Sequence, residues 1–221
     1  MRLFLCEKPS QGRDIAKILG ATRRSEGCLL GAETTVTWCI GHLLEAAPPE
    51  AYSEQYKRWS LEHLPIIPSQ WKVEVKPNTA GQFKVIKRLL SEASTVVIAT
   101  DADREGEMIA RELVEHCRYR GPIQRLWLSA LDEASIRKAL AALNPGAEAF
   151  NLYHSALGRS RADWLIGMNM SRLFTLLGRQ SGYQGVLPVG RVQTPTLRLV
   201  VDRDRSIADF VPVAYWAIDV Q

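Results

Sequence analysis

Long apolar runs and paired cysteines are both missing from this chain of 221 residues. A membrane-spanning helix needs about 20 consecutive apolar residues, and none occurs. The first ten residues, MRLFLCEKPS, bring in a charged pair before a secretory hydrophobic segment could form. No C-x-x-C spacing occurs among the cysteines, which argues against a zinc ribbon and a disulfide framework; they are Cys6, Cys28, Cys39 and Cys117. We therefore expect a cytoplasmic protein with reduced thiols, without zinc and without a membrane partner.

Lysine is absent between residues 159 and 205, where eight arginines stand against three aspartates. The arginines are Arg159, Arg161, Arg172, Arg179, Arg191, Arg198, Arg203 and Arg205. The net charge of the whole chain, +4, is too small to indicate a partner. Because the planar guanidinium suits bidentate contacts with phosphate, this region is a candidate phosphate-binding surface, with a solvated helical face as the alternative.

Two kinds of apolar segment alternate through the first two thirds of the chain. Short β-branched runs, typical of strands, are separated by apolar residues at helical spacing, which predicts an α/β fold with a mostly parallel sheet flanked by helices. The predicted elements are strand 2–6, a helix from the N-cap Ser10 to the stop Gly20, a hairpin of 29–30 with 34–40, strand 71–76, helix 80–92, strand 95–100, helix 104–118, strand 123–128 and helix 132–143. Residues 46–70 contain four prolines and predict an irregular excursion.

After Asn144-Pro145-Gly146 the strand signal disappears. Apolar residues at helical spacing then predict packed helices, interrupted at Gly178 and by the loop 182–190, with another helix starting near Pro195. The last residues alternate again and predict a strand. We therefore divide the chain into an α/β domain over 1–146, part of a mainly helical domain over 147–212, and the first strand of a further domain over 213–221.

Several carboxylates follow the apolar run 96–100. Residues 101–107 read DADREGE, so Asp101 and Asp103 lie two apart in an extended segment, with Glu105 close behind. Ligands of open α/β sheets bind at the carboxyl ends of the strands, and Mg²⁺ prefers a few carboxylates together with water and phosphate. The alternative is that these acids cap and polarise the amino terminus of the helix that follows.

Glu7 directly follows the first predicted strand, so parallel pairing would bring it to the same sheet edge as Asp101. A carboxyl group beside other negative charges keeps a raised pKa and can act as a general acid or base. Lys8, next to it, could neutralise phosphate charge. The residues therefore predict a magnesium site at which Glu7 exchanges protons.

The two motifs together give a specific resemblance. EKPS at 7–10, followed about ninety residues later by DADREGE at 101–107, resembles the bipartite signature of the TOPRIM domain of type IA DNA topoisomerases. The segment WCIGHL at 38–43 is similar to topoisomerase III enzymes and implies that His42 lies near the site; a structural role is the alternative. The resemblance implies that Glu7, Asp101, Asp103 and Glu105 hold Mg²⁺ and that Glu7, Lys8 and Glu105 are catalytic.

Two later stretches are similar to the helical DNA-binding domain of the same family: LGRSRADW at 157–164 and GVLPVGRVQTP at 185–195. A glycine permits close approach, an arginine can fork onto phosphate, and a helix amino terminus favours an anion. Asp163 stands four residues beyond Arg159 and could orient its guanidinium. The residues expected to bind DNA are Trp59, Arg159, Asp163, Arg172, Arg179, Pro188, Val189, Gly190, Arg191, Val192 and Gln193; Trp59 would stack on a base, with anchoring of its loop as the alternative.

A tyrosine nucleophile is the missing part. In type IA enzymes a tyrosine attacks a single-strand phosphodiester, and none of the six tyrosines here stands in the motif of that nucleophile. The resemblance, which covers nearly the whole chain, therefore implies a fragment of a monomeric enzyme that binds single-stranded DNA, with RNA as the alternative ligand. We expect this chain to bind the strand without cleaving it.

Two other functions fit the same residues. A TOPRIM nuclease or primase would use the carboxylates without a covalent tyrosine and would leave products with free ends. A non-catalytic single-strand-binding module would bind equally well after Asp101→Ala and Asp103→Ala.

Overall fold

The computed structural model describes residues 1–220, which form two compact units. The first unit consists of Met1–Glu54 and Pro68–Ala162, and the second consists of Gln55–Ile67 and the chain from Asp163 onward. The division lies inside a long helix, after Ala162. The start of that helix lies close to the domain boundary predicted near residue 146.

Strands and helices alternate over much of the first unit, as the sequence predicts, and the last two helices of the chain account for most of the second. The strands are β1 Arg2–Cys6, β2 Arg23–Ser25, β3 Cys28–Leu30, β4 Thr34–Trp38, β5 Leu44–Ala46, β6 Val73–Val75, β7 Thr95–Ala99, β8 Ile123–Arg125 and β9 Asn144–Pro145. The helices are α1 Pro9–Ile18, α2 Ala80–Glu92, α3 Arg104–His116, α4 Glu133–Ala141, α5 Phe150–Gln180 and α6 Gln193–Ala208. Short 3-10 turns occur at Pro49–Ala51, Glu54–Lys57, Leu61–His63, Pro77–Thr79 and Gly146–Ala149.

Seven of the strands form one mixed sheet in the order β2-β3-β4-β1-β7-β8-β9. The four central strands, β4, β1, β7 and β8, run parallel, and the outer pairings β2–β3, β3–β4 and β8–β9 are antiparallel. The register pairs Cys6 with Ala99, so β1 and β7 end at the same edge of the sheet. The fold class predicted from the sequence is therefore confirmed.

Helices bury the sheet on both faces, and since successive side chains of a strand point in opposite directions, each strand contributes to two hydrophobic clusters. In β1, Leu3 and Leu5 join one hydrophobic cluster with α2 and α3, while Phe4 and Cys6 join a second cluster with α1 and α4. All four side chains are fully buried. The helices thus cover the strands from both sides and leave the strand ends at the edge accessible.

Two boundary predictions for α1 fare differently. Ser10 was predicted as its N-cap, but the helix begins at Pro9 with Lys8 in the cap position, so this prediction is wrong. Proline suits the first helical position because its ring fixes a helical φ and the missing N–H needs no partner there. At the other end Gly20 has φ +69° and follows the last turn, as expected of a glycine that stops a helix.

The strand predicted over 71–76 exists, but it lies outside the main sheet. β6 pairs antiparallel with β5 in a separate two-stranded sheet. Its residues Val73 and Glu74 are exposed, so the segment lacks the two buried faces of a central parallel strand. Local alternation predicted the extended conformation but not the partner.

Gly178 does not interrupt a helix, contrary to the prediction. α5 runs without a break through 31 residues, from Phe150 to Gln180. A Cβ at Gly178 would meet Leu187 Cδ1 at 2.9 Å, so the glycine leaves room for the returning loop rather than ending the helix. The helix ends two residues later, and Tyr183 N donates to Gly178 O at 2.9 Å.

The excursion is irregular, as predicted, and its segment 55–67 packs within the second unit. Asn169, which is buried, binds the main chain of Ile66 at two points: its Oδ1 accepts the Ile66 N–H at 2.5 Å, and its Nδ2 donates to the Ile66 carbonyl at 2.9 Å. A single asparagine therefore satisfies both main-chain groups of a buried loop residue.

The strand predicted over 213–221 is not formed in the described residues 213–220, whose side chains are exposed, and Gln221 lies outside them. α6 contains no buried residue. Within residues 1–220, no helix combines the length and the apolar character needed to cross a membrane.

Asn169→Ala should lower the free energy of unfolding by about 2–4 kcal/mol, because it leaves both polar groups of Ile66 unsatisfied in a buried position. Urea unfolding at neutral pH measures the change. Asn151→Ala, an exposed asparagine on the same helix, is the matched control and should change stability by less than about 0.5 kcal/mol. Equal effects of the two substitutions would contradict the assigned role of Asn169.

Candidate functional site

The carboxyl edge of the sheet brings the two acidic motifs together. Glu7 directly follows β1, and Asp101 follows β7 after one intervening residue. Because these parallel strands are neighbours, Glu7 Oε2 accepts the main-chain N–H of Asp101 at 3.1 Å. Residues 94 positions apart in the chain thus share one hydrogen bond at the end of the sheet.

Gln11 joins the two motifs a second time. It lies one helical turn beyond Glu7 on α1 and is 1% exposed. Its Oε1 accepts the Glu7 N–H at 2.8 Å, while its Nε2 donates to Asp101 Oδ1 at 3.0 Å. The other oxygen of Asp101 lies 3.2 Å from Lys8 Nζ. Both oxygens of Asp101 are therefore engaged by side chains from the start of α1.

Asp103 caps the helix that follows the motif. Its Oδ1 accepts the Gly106 N–H at 2.7 Å, in the position of the N-cap of α3. Gly106 lies so close to the main chain of Asp101 that a Cβ would collide with the Asp101 carbonyl oxygen. Asp103 therefore caps α3, which was the alternative considered for this motif. Only one oxygen of Asp103 takes part in the capping hydrogen bond.

Glu105 is held by His42. His42 Nε2 lies 2.8 Å from Glu105 Oε1, and His42 Nδ1 lies 3.2 Å from Glu112 Oε2. The hydrogen bond with Glu112 is the first cause that raises the pKa of His42, and the bond with Glu105 adds to it, while burial opposes both. The histidine therefore lies between two carboxylates of α3, close to the acidic edge.

A buried ion-pair network lies beneath the acidic edge. Glu107 and Arg125 are both fully buried and form an ion pair, and Arg111 Nε donates to the second oxygen of Glu107 at 2.9 Å. Arg125 also donates to the main-chain carbonyl oxygens at the end of β7, with distances of 3.1 Å to Ile98, 2.8 Å to Thr100 and 2.6 Å to Asp101. The arginine thus fixes the main chain that presents Asp101.

The carboxylate oxygens at this edge are ligands of the kind that a hard divalent cation prefers. Carboxylate oxygens are the ligands that Mg²⁺ prefers, and Mg²⁺ usually takes only one or two of them, together with water and phosphate. Within residues 1–220, however, no group of three acidic, histidine or cysteine side chains converges on one point. Lys8 and His42 supply positive or polar partners to Asp101 and Glu105 in this arrangement. A metal at this edge would therefore exchange places with these partners.

Burial is the main cause that raises the pKa of Glu7. The negative charges of Asp101 and Asp103 raise it further, while the Asp101 N–H and Lys8 act in the opposite direction. The charges of both aspartates therefore act on Glu7, although each of the three acids has its own hydrogen-bond partner. A carboxyl group with a raised pKa is suited to proton transfer.

The arginine-rich stretches meet in the second unit. Arg191 Nη1 donates to Asp163 Oδ1 at 2.9 Å, and both side chains are partly exposed. Arg179 is exposed on the last turn of α5, and Arg159 is exposed in the part of the helix that belongs to the first unit. Of the remaining predicted DNA contacts, Pro188, Val192 and Gln193 are exposed, and Val189 and Gly190 are partly exposed.

Arg172 and Trp59 take internal positions. Arg172 is 5% exposed, its Nη1 donates to the Tyr56 carbonyl at 2.8 Å, and its Cζ lies 5.2 Å from the centroid of the Trp59 ring. Trp59 is half-buried. Their contact supports the alternative given for Trp59, anchoring of its loop, and their roles as DNA contacts stay predictions.

Several residues that build the site were not predicted from the sequence: Gln11, Glu107, Arg111, Glu112 and Arg125. Each had a weak signal, because a charged or amide side chain interrupts an apolar strand or the apolar face of a helix. The signal shows that a buried partner exists, but it does not identify the partner.

Comparison with protein families gives two matches. The family described as Toprim domain matches residues 2–131, and the family described as DNA topoisomerase matches residues 147–221. The first match contains both acidic motifs, and the second contains α5, α6 and the loop between them.

Similar proteins and structures agree with these matches. The chain is 48% identical to a DNA topoisomerase 3 of Vibrio cholerae over 99% of its own length and 35% of the relative, and 43% identical to a DNA topoisomerase 3 of Bacillus subtilis over 98% and 29%. It thus spans about a third of the length of these curated relatives. The structure of the full-length topoisomerase I of Thermotoga maritima has a similar fold, with a TM-score of 0.64 at 24% identity over 95% of this chain and 31% of that one.

Glu7→Gln should stabilise the metal-free protein at neutral pH. The folded state raises the pKa of Glu7 above its ordinary value of 4.5 and therefore binds the proton more tightly than the unfolded state. The stability of the wild-type protein should thus fall as the pH rises above 4.5 towards the pKa of the folded state. The glutamine side chain carries no charge and can still accept the Asp101 N–H. Urea unfolding with EDTA from pH 4 to pH 7 measures the difference between the two proteins.

The advantage of the Glu7→Gln variant should grow with pH across this window. Glu26→Gln, at an exposed position, is the control for the loss of one carboxyl group. A pH-independent difference for Glu7→Gln would contradict the raised pKa.

Proposed function

The chain belongs to the Toprim family, as part of a type IA DNA topoisomerase of the topoisomerase III kind, and we propose that its acidic edge is the Mg²⁺-dependent half of a site that breaks and rejoins single DNA strands. The observation that carries the proposal is the hydrogen bond from the Asp101 N–H to Glu7. It joins the two motifs, of which one offers a group for proton transfer and the other offers metal ligands.

Metal binding is assigned to Asp101 and Asp103, with Glu105 and Glu7 as further ligands or partners through water. Toprim domains are metal-binding, and the oxygen-only donor set favours Mg²⁺. When bound, the cation supplies positive charge beside the phosphate that reacts. For such a cation to bind, Asp101 exchanges Lys8 for the metal, and Glu105 exchanges His42.

Proton transfer is assigned to Glu7. In the proposed reaction of the whole enzyme a tyrosine attacks the phosphorus and displaces the 3′-oxygen, to which Glu7 gives a proton. Glu7 takes the proton back when the 3′-oxygen attacks the phosphotyrosine bond, releases the tyrosine and rejoins the strand. The raised pKa of Glu7 supports this role, because a protonated carboxyl group is then available closer to neutral pH. Lys8, released from Asp101, would stabilise the negative charge that develops on the phosphate.

The binding of single-stranded DNA is assigned to arginines of α5 and of the loop before α6. Arg191 and Arg179 are exposed, and the Arg191 guanidinium uses one of its five N–H donors on Asp163. The remaining donors can form the fork that matches a phosphate. In this proposal the α/β domain covers residues 1–146, the helical DNA-binding part covers 147–212, and residues 213–221 begin a further domain.

Adding Mg²⁺ should raise the thermal unfolding midpoint of the 221-residue chain, since a ligand that binds only the folded state stabilises it. Asp103→Asn should abolish most of this rise, because asparagine still caps α3 but no longer offers a charged ligand. Differential scanning calorimetry with and without EDTA measures the effect.

Asp132→Asn is the matched control for this experiment. Asp132 caps α4 in the same way, with its side chain accepting the Ser135 N–H at 3.0 Å, but it lies in no acidic cluster of the proposed site. The variant should respond to Mg²⁺ like the wild type. Equal responses of all three proteins to Mg²⁺ would show that Asp103 is not a metal ligand.

Arg191→Ala should weaken binding to a fluorescein-labelled oligothymidylate and lower the magnitude of the salt slope by about 0.7, the value expected for one lost phosphate contact on a single strand. Fluorescence anisotropy at several salt concentrations gives both quantities. Arg137→Ala is the matched control, because Arg137 is also exposed and also paired with an acid, Glu133, at 2.8 Å. The same loss in both variants would indicate a nonspecific effect of net charge.

A further inference from the structure

One side of α5 carries a row of residues spaced one helical turn apart, and the loop before α6 lies along it. The row consists of Asp163, Gly167, Ser171 and Thr175. The loop residues that face this row alternate along the chain: Leu187, Val189 and Arg191. All of these residues belong to the second unit.

Each side chain of the row contacts one of the alternate loop residues. Thr175 Oγ1 accepts the Leu187 N–H at 2.9 Å, and Ser171 Oγ both accepts the Val189 N–H at 2.9 Å and lies 3.3 Å from the Val189 carbonyl, to which it donates. Asp163 Oδ1 accepts from Arg191 Nη1 at 2.9 Å. Together these bonds form what we call the α5 ladder: Asp163, Ser171 and Thr175 with their three loop partners.

The spacing of the ladder follows from elementary geometry. Four residues of an α-helix rise by about 6 Å, and two residues of an extended chain span about 6.6 Å. Leu187 and Val189 therefore lie level with Thr175 and Ser171, one helical turn apart. Asp163 lies two turns beyond Ser171, and the long side chain of Arg191 reaches it. Gly167 contributes no side chain, and a Cβ there would find Val189 O as its nearest contact, at 3.8 Å. The missing side chain keeps the row open for the loop.

The ladder holds the loop through its main chain. Thr175 binds the N–H of Leu187, and Ser171 binds both the N–H and the carbonyl of Val189. The side chains of Leu187 and Val189 take no part in these bonds. On the other side of the loop, Gly190 N donates to Thr194 Oγ1 at 3.0 Å, at the start of α6. Arg191 thus follows two main-chain anchors directly, which restricts where its guanidinium can reach.

We propose that Ser171 and Thr175 are positioning residues that hold the main chain of Leu187 and Val189 in place, so that Arg191 meets a phosphate of single-stranded DNA without first ordering its loop. This inference rests on the proposed function of Arg191. A residue fixed before binding loses less conformational entropy on binding, so the ladder should appear in the affinity for the strand. Thr175 is fully buried, and Ser171, which is partly buried, uses its hydroxyl on the main chain of Val189.

The test uses the 221-residue chain and a labelled oligothymidylate. Ser171→Ala and Thr175→Val remove one hydroxyl each. Thr175→Val should weaken binding about three- to tenfold, as expected for the loss of one hydrogen bond, and Ser171→Ala at least as much, because it loses two. Ser171→Thr keeps the hydroxyl and should bind like the wild type. Ser155→Ala, an exposed position on the same helix, should also bind like the wild type.

A double-mutant cycle separates positioning from a general loss of structure. If the ladder acts through Arg191, Ser171→Ala should have no further effect on binding in the Arg191→Ala background. Hydrogen exchange without DNA gives an independent reading: Ser171→Ala should speed exchange of the Val189 amide, and Thr175→Val should speed exchange of the Leu187 amide. Circular dichroism confirms that each variant is folded.

The outcomes distinguish this inference from the function on which it rests. Faster amide exchange with unchanged affinity would overturn the positioning role but leave the proposed function intact, provided that Arg191→Ala weakens binding. The same loss from Ser171→Ala in both backgrounds would also overturn it, because the effect would not pass through Arg191. No binding by the wild-type chain would overturn the proposed function and the positioning role together.

Discussion

Arg125 holds the carboxyl end of β7 from inside the protein. Its side chain is fully buried, and it donates to the carbonyl oxygens of Ile98, Thr100 and Asp101, while Glu107 supplies the opposite charge. A buried guanidinium is tolerable only when it is paired and its donors are satisfied, and removing one partner of such a pair typically costs about 3–5 kcal/mol. The path of the main chain at the end of β7, and with it the position of Asp101, therefore depends on this pair.

The acidic side chains at the end of the sheet, unlike the buried Arg125–Glu107 pair, have partners that are accessible to solvent. Asp101 and Glu105 are accessible to solvent, and so are Lys8 and, in part, His42, which pair with them. Buried Gln11 binds the other oxygen of Asp101 and belongs to the fixed part of the site. Exposed ion pairs contribute little to stability, about 0–1 kcal/mol, so exchanging such a partner for a metal or a phosphate costs little. The site thus combines a main chain fixed by buried charges with carboxylates whose partners are exchangeable. Such a division allows a metal to bind without disturbing the sheet.

The sequence alone was sufficient to predict a mostly parallel sheet and to place Glu7 and Asp101 at the same edge of it. The β-branched run before Asp101 and the apolar run before Glu7 both predict strands, and parallel pairing places their ends together. The partners across the chain could not be predicted, since Gln11 and Arg125 appear in the sequence as ordinary residues of a helix and a strand. A polar residue in an apolar segment indicates a buried partner, but the fold decides which one. For the same reason the prediction for Gly178 was wrong: the sequence shows a glycine in a helix, but not the loop that returns across it.

In each of the two units, main-chain contacts hold a segment that carries a side chain of the proposed function. Arg125 binds the carbonyl oxygens of Thr100 and Asp101, Asn169 binds both polar groups of Ile66, and Ser171 binds both polar groups of Val189, two residues before Arg191. A contact with the main chain does not depend on the side chain that the anchored segment presents. Asp101 and Arg191 can therefore be replaced while their segments keep their paths, whereas replacing an anchor moves the segment and leaves the functional side chain chemically unchanged. Chemistry and positioning thus reside in different residues, and substitutions can separate one from the other.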